Sequence, residues 1–274
     1  MGRVLRKMQT GQVFTPWLRR WNLTPDGPPR RTPSSDLLPV RAGGRPAMLK
    51  LARSAEEQTG HRLMVWLDGG GAARVYAHSG PALLMETLPG GDLTGLPPAG
   101  DDDGATRVLC AVAARLHRPR PQPWPALPSL RTRFRSLEAA APQGGLYARA
   151  WERAQALLGT PQDVRPLHGD LHHGNVRRGA GGEWRVIDPK GLIGERGFDY
   201  ANIFCNPDLD FAARPGRLTR QATLVADLAG LERSRLLAWA LAYAALSAAW
   251  HREDGDPASA ARTLEIAALA EAGL

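Results

Sequence analysis

Leu167-His168-Gly169-Asp170-Leu171-His172-His173-Gly174-Asn175 is the most informative stretch of the 274-residue chain. It follows Val164–Leu167, a short apolar segment that reads as a strand, and its two glycines mark it as a polar loop. Trp184-Arg185-Val186-Ile187 reads as the next strand, ending on Asp188. Asn175 stands five residues after Asp170, and Asp188 thirteen after Asn175. A loop of this length can set the Asp170 carboxylate against an incoming hydroxyl and the Asn175 amide against a metal ion. A hairpin return then brings Asp188 to the same metal. His168, His172 and His173 beside Asp170 also admit a zinc reading, but Gly169 and Gly174 oppose the helix that histidines four apart would need. His168 reads as a residue that packs the loop.

Upstream of this stretch the chain is β-rich. Leu37–Arg41 and Ala47–Leu51 flank Ala42-Gly43-Gly44-Arg45-Pro46, which predicts a hairpin. Ser54 with Glu57 three residues on has capping-box spacing, so Ser54 to Leu67 reads as a helix, ended by Asp68-Gly69-Gly70-Gly71. Ala73–Ala77 and Ala82–Glu86 read as two further strands, and Pro89-Gly90-Gly91 as a linker. Residues 1–35, rich in Pro and Arg, read as a loose leader with one short helix at Val4–Met8. Beyond Asp101 the pattern is helical, at Ala105–His117, Leu130–Ala140, Gly145–Leu158, Arg217–Leu228, Leu231–Arg252 and Pro257–Ala272. Trp239, Tyr243, Leu246 and Trp250 share one face of the long helix and read as core. Asp101-Asp102-Asp103 reads as an acidic helix N-terminus. The expected class is α+β, with a β-rich lobe over 1–88 and a mostly helical lobe over 89–274.

Composition narrows the function classes. Hydrophobic residues at 43% and charged residues at 23% suit a packed globular chain. No apolar run reaches the roughly 20 residues of a membrane span, and no secretory signal is visible at Met1. Two cysteines, Cys110 and Cys205, suit a reduced, cytoplasmic protein. Of 35 basic and 27 acidic residues, ten and two fall in residues 1–50, so the whole net charge of +8 lies there. Only three of the basic residues are lysine. This local charge suits phosphates of any kind, nucleotide included. It does not indicate nucleic acid, and no membrane partner is expected.

The layout of Asp170, Asn175 and Asp188 matches that of kinases. HGDLHHGN with VIDPKGLIGERGFDYAN resembles the aminoglycoside phosphotransferase family, most closely its streptomycin 6-phosphotransferase (aminoglycoside/hydroxyurea resistance kinase) branch, over roughly residues 36–255. The resemblance implies a protein-kinase-like two-lobe fold and an ATP- and Mg²⁺-dependent phosphotransferase. It implies Asp170 as catalytic base and Asn175 and Asp188 as metal ligands. Protein kinases differ: Gly169 stands where they carry Arg, Pro189 follows Asp188, and no Ala-Pro-Glu follows, which disfavours a protein substrate. Lys50, on the second hairpin strand, has the place of the lysine that reaches the α/β-phosphates, with Glu57 as its helix partner. Ser34 and Ser35, in the turn Thr32-Pro33-Ser34-Ser35, are phosphate-loop candidates. Glu86 and Leu88 stand in the segment whose backbone would bond adenine.

The acceptor is expected to be a small cationic molecule, with streptomycin first. Residues 191–274 carry 11 acids and eight bases, a net of −3, and carboxylates pair naturally with guanidinium groups. Glu253, Asp254 and Asp256, with Asp208 and Asp210, are the candidates, equally readable as solvated surface. Asp199 joins the substrate candidates, although its position also reads as a helix N-cap that supports the 167–175 loop. Other readings are a kinase of another aminoglycoside or of a small amine or alcohol metabolite, and a non-catalytic kinase-like nucleotide binder. A monomer or weak dimer is expected.

Overall fold

A computed structural model describes residues 12–274, so the helix expected at Val4–Met8 lies outside the described residues. The described chain enters through helix α1 (Thr15–Arg20) and strands β1 (Leu23–Pro25) and β2 (Arg30–Arg31). The hairpin follows as β3 (Ser35–Ala42) and β4 (Arg45–Ala52), then helix α2 (Ala55–Leu67), β5 (Val75–Ser79) and β6 (Ala82–Glu86). The strands form one antiparallel sheet in the order β1-β3-β4-β6-β5, with β2 paired to β3.

Successive strand residues face opposite sides of a sheet, and β4 uses this alternation to place its lysine. Leu49 and Leu51 point to the outer face, where they join Phe14, Leu38, Val40 and Leu84 in a core covered by Trp17, Leu18 and Trp21. Lys50 therefore points to the inner face, toward α2 and the second lobe. The region expected to be a loose leader is ordered from residue 12: Phe14 is fully buried, and Leu23 pairs with Ala42 at the sheet edge. Without α1 the outer face of the sheet would be bare apolar surface.

The second lobe opens with α3 (Asp102–Leu116), then α4 (Arg135–Ala140) and α5 (Gly145–Gly159). Four short strands follow: β7 (Val164–Leu167), β8 (Val176–Arg178), β9 (Trp184–Val186) and β10 (Leu192–Glu195). Strand β7 pairs with β10, and β8 with β9. Helices α6 (Gly197–Ala201), α7 (Leu209–Ala212), α8 (Arg217–Ala229), α9 (Arg233–Glu253) and α10 (Pro257–Ala272) complete the chain. Helix α9 packs against α4, α5, α6, α8 and α10, and is buried nearly all round. Its aromatic stripe is core as expected: Trp239 and Tyr243 both pack edge-on to Phe198. Asp102 does more than face a helix dipole, since it holds the buried Arg217 through two hydrogen bonds of 3.0 and 2.8 Å. No helix among the described residues is long and apolar enough to cross a membrane.

The lobes meet closely at several places, two of them through backbone. Ala73 N–H donates to Val186 O and Val186 N–H to Gly71 O, each at 2.9 Å, so the α2–β5 turn pairs with β9. At Gly60, in α2, a Cβ would lie 1.9 Å from the carbonyl oxygen of Pro189. Only glycine lets the helix press on the segment that carries Asp188. Gly60→Ala should therefore destabilise the fold by about 1–3 kcal/mol, the usual range for an overpacked core. Chemical denaturation of the variant measures this, and a midpoint equal to that of the parent would show that the helix can stand off at no cost.

Candidate active site

The ammonium of Lys50 is the centre of the site. It lies 2.5 Å from Glu57 Oε2 on α2 and 2.5 Å from Asp188 Oδ1 beyond β9. Ser54 Oγ accepts from Glu57 N–H as a capping box requires, but the Glu57 carboxylate does not return to Ser54. It turns inward instead, accepting from Ser35 Oγ at 2.9 Å and from Lys190 Nζ at 3.4 Å. Burial opposes the charge of Lys50, yet Asp188 and Glu57 outweigh it and its pKa is raised. Burial likewise opposes the charge of Glu57, but Lys50, Lys190 and Ser35 hold its pKa down to about 2. Asp188 sits past the end of β9, in a left-handed conformation with φ of 59°.

The 167–175 loop is fixed by a carboxylate beneath it. Asp199 accepts from Gly169 N–H at 2.7 Å, from His168 N–H at 2.9 Å and from His117 Nε2 at 2.8 Å. It is 1% exposed and lies inside α6, so it is neither the N-cap nor the substrate contact expected from sequence. A carboxylate that already takes three donors under the loop has no face left for an acceptor molecule. His168 packs the loop from the other side: Nδ1 accepts from Asp170 N–H, and Nε2–H donates to Ile187 O. Burial pushes the His168 pKa down, which suits this neutral ring.

Asp170 thus stands half-buried on a rigid backbone. Asn202 Nδ2 donates to Asp170 Oδ1 at 3.0 Å, and Asn206 Nδ2 in turn donates to Asn202 Oδ1 at 2.9 Å. The second bond fixes the sense of the Asn202 amide, so a donor always faces Asp170. Asn175 Nδ2 donates to the backbone oxygen of Asp170 at 2.9 Å, which leaves Asn175 Oδ1 as the outward atom. Ile187 N–H donates to Asn175 O, so Asn175 and Asp188 flank the mouth of the β8–β9 hairpin. An amide oxygen and a carboxylate are hard oxygen donors of the kind Mg²⁺ takes alongside phosphate.

A cavity of about 460 Å³ opens beside this set, with Leu37, Met48, Met85 and Ile187 as apolar walls and Glu86, Thr87, Leu88 and Asp188 on its rim. The side chain of Glu86 accepts from Arg74 N–H and Arg185 Nη1 at Oε2, and its own N–H donates to Arg74 O, so its backbone carbonyl is the group left to meet a ligand there. Arg30, Arg31 and Arg177 line the same cavity. These arginines, Asn202 and Lys190 were not singled out from sequence. The surplus of basic charge in residues 1–50 was the available signal for Arg30 and Arg31; nothing in spacing marks Asn202. Ser34 lies in the β2–β3 turn beside the cavity. Ser35 faces away, its hydroxyl spent on Glu57.

The acidic acceptor candidates are dispersed. Asp208 caps α7, accepting from Phe211 N–H, and Asp256 caps α10, accepting from Ser259 N–H. Asp210 pairs with Arg262. Glu253 accepts from Ser136 Oγ at 3.0 Å and Asp254 is exposed, both at the C-terminal end of α9. That end is about 15 Å along the helix from Tyr243, whose hydroxyl pKa is pushed up by burial and then by the charge of Asp170.

A family model described as aminoglycoside/hydroxyurea antibiotic resistance kinase matches residues 20–255. Streptomycin 3''-kinase of Klebsiella pneumoniae is 48% identical over 261 residues, covering 93% of this chain and 98% of that protein. Streptomycin 6-kinase of Streptomyces griseus is 33% identical over 274 residues, covering 90% and 85%. Among solved structures, aminoglycoside phosphotransferase APH(4)-Ia superposes with a TM-score of 0.66 at 18% identity, covering 97% of this chain and 99% of that one. The last comparison bears on fold alone and agrees with the two-lobe, kinase-like arrangement.

The folded pKa of Glu57 predicts a stability profile. A carboxylate held near 2 in the fold and near 4.5 outside it adds stability above about pH 4.5, and this is lost as the pH falls toward 2. Glu57→Gln should be less stable at neutral pH and should show a shallower loss of stability across that acid range. Denaturation midpoints against pH measure both, and an unchanged slope would remove Glu57 from the ion pair.

Proposed function

We propose a reaction for this chain from the fact that it belongs to the aminoglycoside/hydroxyurea antibiotic resistance kinase family: it transfers the γ-phosphoryl group of ATP to a hydroxyl of streptomycin. The observation that carries the reading is the convergence of Lys50, Asp170, Asn175 and Asp188 beside one cavity with apolar walls. Phosphoryl transfer asks for a positioned hydroxyl, neutralised phosphate charge and in-line geometry rather than covalent chemistry. The apolar walls take adenine against Met48 and Ile187, with hydrogen bonds to the Glu86–Leu88 backbone. Lys50, Arg30, Arg31 and the Ser34 turn face the phosphates. Asn175 Oδ1 and Asp188 would hold Mg²⁺, which when bound supplies charge neutralisation at the phosphates.

Asp170 acts on the acceptor. Asn202 donates to its Oδ1 at 3.0 Å and Asn175 Nδ2 to its Oδ2 at 3.5 Å, so Oδ2, the more weakly held oxygen, takes the proton of the hydroxyl as the new O–P bond forms and the bond to the β–γ bridging oxygen breaks. The Asn202 contact also keeps the carboxylate from rotating away. The relative at 48% identity is a 3''-kinase, so the 3''-hydroxyl is favoured over the 6-hydroxyl. Glu253 and Asp254 serve only the distal guanidinium groups of so long a molecule.

The test is ATP consumption against a panel of aminoglycosides and hydroxyurea, with the phosphorylated position read by NMR. Streptomycin turnover at the 3''-hydroxyl is expected. No streptomycin turnover, with ready turnover of another small alcohol, would overturn the acceptor while leaving a kinase. Asp170→Asn should lower kcat by roughly 100-fold or more with nucleotide affinity near that of the parent. Wild-type turnover in that variant would exclude Asp170 as base. Charge reversal at Glu253 or Asp254 should raise KM for streptomycin with little change in kcat, the mark of lost ground-state binding.

A further inference from the structure

Behind the segment that joins the lobes lies a second cavity, of about 380 Å³. It shares no lining residue with the nucleotide cavity. Its walls come from the Gly69-Gly70-Gly71 turn after α2, the C-terminal end of α3 and strand β9. Four guanidinium groups, those of Arg115, Arg118, Arg120 and Arg185, meet there with the single carboxylate of Glu183. We propose that this cavity is a binding site for a phosphate-bearing anion, separate from the nucleotide site.

The local bonding explains the position of each arginine but not their convergence. Arg120 is held by Gly70 O and Leu116 O and lies over the Trp66 ring. Arg185 is held by Glu86 and Glu183. Arg115 bonds Trp184 O, but its Nε is buried without a partner. The Arg118 side chain has no hydrogen-bond or ion-pair partner among the described residues. Burial, and then the neighbouring guanidinium groups, weaken the hold of Arg115 and of Arg120 on their protons. Like charges gathered in a partly dehydrated pocket destabilise the empty fold, and an oxyanion would reverse that penalty. Guanidinium groups fit phosphate oxygens in paired hydrogen bonds.

The floor of the cavity is made for close approach. At Gly70 a Cβ would come within 2.6 Å of Arg120 Nη2. Gly71 has a φ of 99°, which side chains rarely adopt, and a Cβ there would lie 3.1 Å from Arg115 Cβ. Any other residue would fill the space between the turn and the arginines. The volume exceeds that of a bare phosphate ion, so phosphomonoesters of small molecules belong to the class as well as the free ion. Arg185 links the site to the nucleotide cavity, since its Nη1 holds the Glu86 carboxylate at 2.9 Å on the rim of the latter.

The experiment is calorimetric titration of inorganic phosphate, and separately of glycerol phosphate, into the full chain saturated with Mg²⁺ and a non-hydrolysable ATP analogue. With the nucleotide crevice filled, one saturable site is expected, weakening as salt is added. Arg118→Glu, at an exposed residue with no partner to lose, should weaken that affinity at least roughly tenfold, the scale of one charged hydrogen bond. Tighter glycerol phosphate assigns the site to phosphomonoesters, and tighter inorganic phosphate assigns it to the free ion. Absence of saturable binding, or equal affinity in the parent and in Arg118→Glu, would overturn the proposal. Neither result depends on which molecule the enzyme phosphorylates.

Discussion

A lysine ammonium that is almost wholly buried cannot stand alone, because removing a single charge from water costs several kcal/mol. Lys50 is 4% exposed and is answered by two carboxylates that come from distant parts of the chain. Glu57 arrives on α2, and Asp188 on the turn that leaves β9. The sheet, the helix and the second lobe must all be in register before this charge is neutralised. Glu57 extends the demand to Ser35 and Lys190, so one carboxylate ties together four segments. Asp188 is the member of the set with a 45% exposed side chain, and so the one able to exchange partners when a ligand enters.

Much of this was written in local pattern. Strands β3, β4 and β6 and the long helices have the periodicities of half-buried elements, and Ser54 marks the start of α2 where the structure places it. The triad of Asp170, Asn175 and Asp188 could be read because loop spacing constrains it. Other parts depend on tertiary contacts that spacing does not encode. Asn202 reaches Asp170 only because α6 passes beneath the loop. Asp199 is buried by the same packing, and its sequence context does not separate a clamp from a ligand. For α1 the signal was present: Phe14, Trp17, Leu18 and Trp21 follow the i, i+3, i+4, i+7 pattern, hidden among prolines and arginines. Helix α1 itself is only six residues long, and β1 and β2 are shorter still.

Net charge over a stretch of sequence does not say where the unpaired charges lie. In residues 191–274, Glu195 is matched by Arg235, Asp210 and Glu265 by Arg262, and Asp199 by the loop it holds. Glu271 pairs with Arg149 on another helix. Five of the eleven acids of the stretch are thus already engaged. Charge counted along the chain therefore does not measure the charge presented at any one place.

The inner face of the sheet and the helical lobe share one apolar core. Leu63, Met64 and Leu67 of α2 and Leu83 and Met85 of β6 belong to the same buried cluster as Leu109, Phe134 and Trp239. The crevice that divides the molecule in outline is thus not a seam in its thermodynamics. Neither lobe can be cut free without exposing the apolar face that the other covers. A core shared in this way predicts unfolding as one cooperative unit, and inheritance of half of the chain, by recombination or truncation, would yield no half-working part.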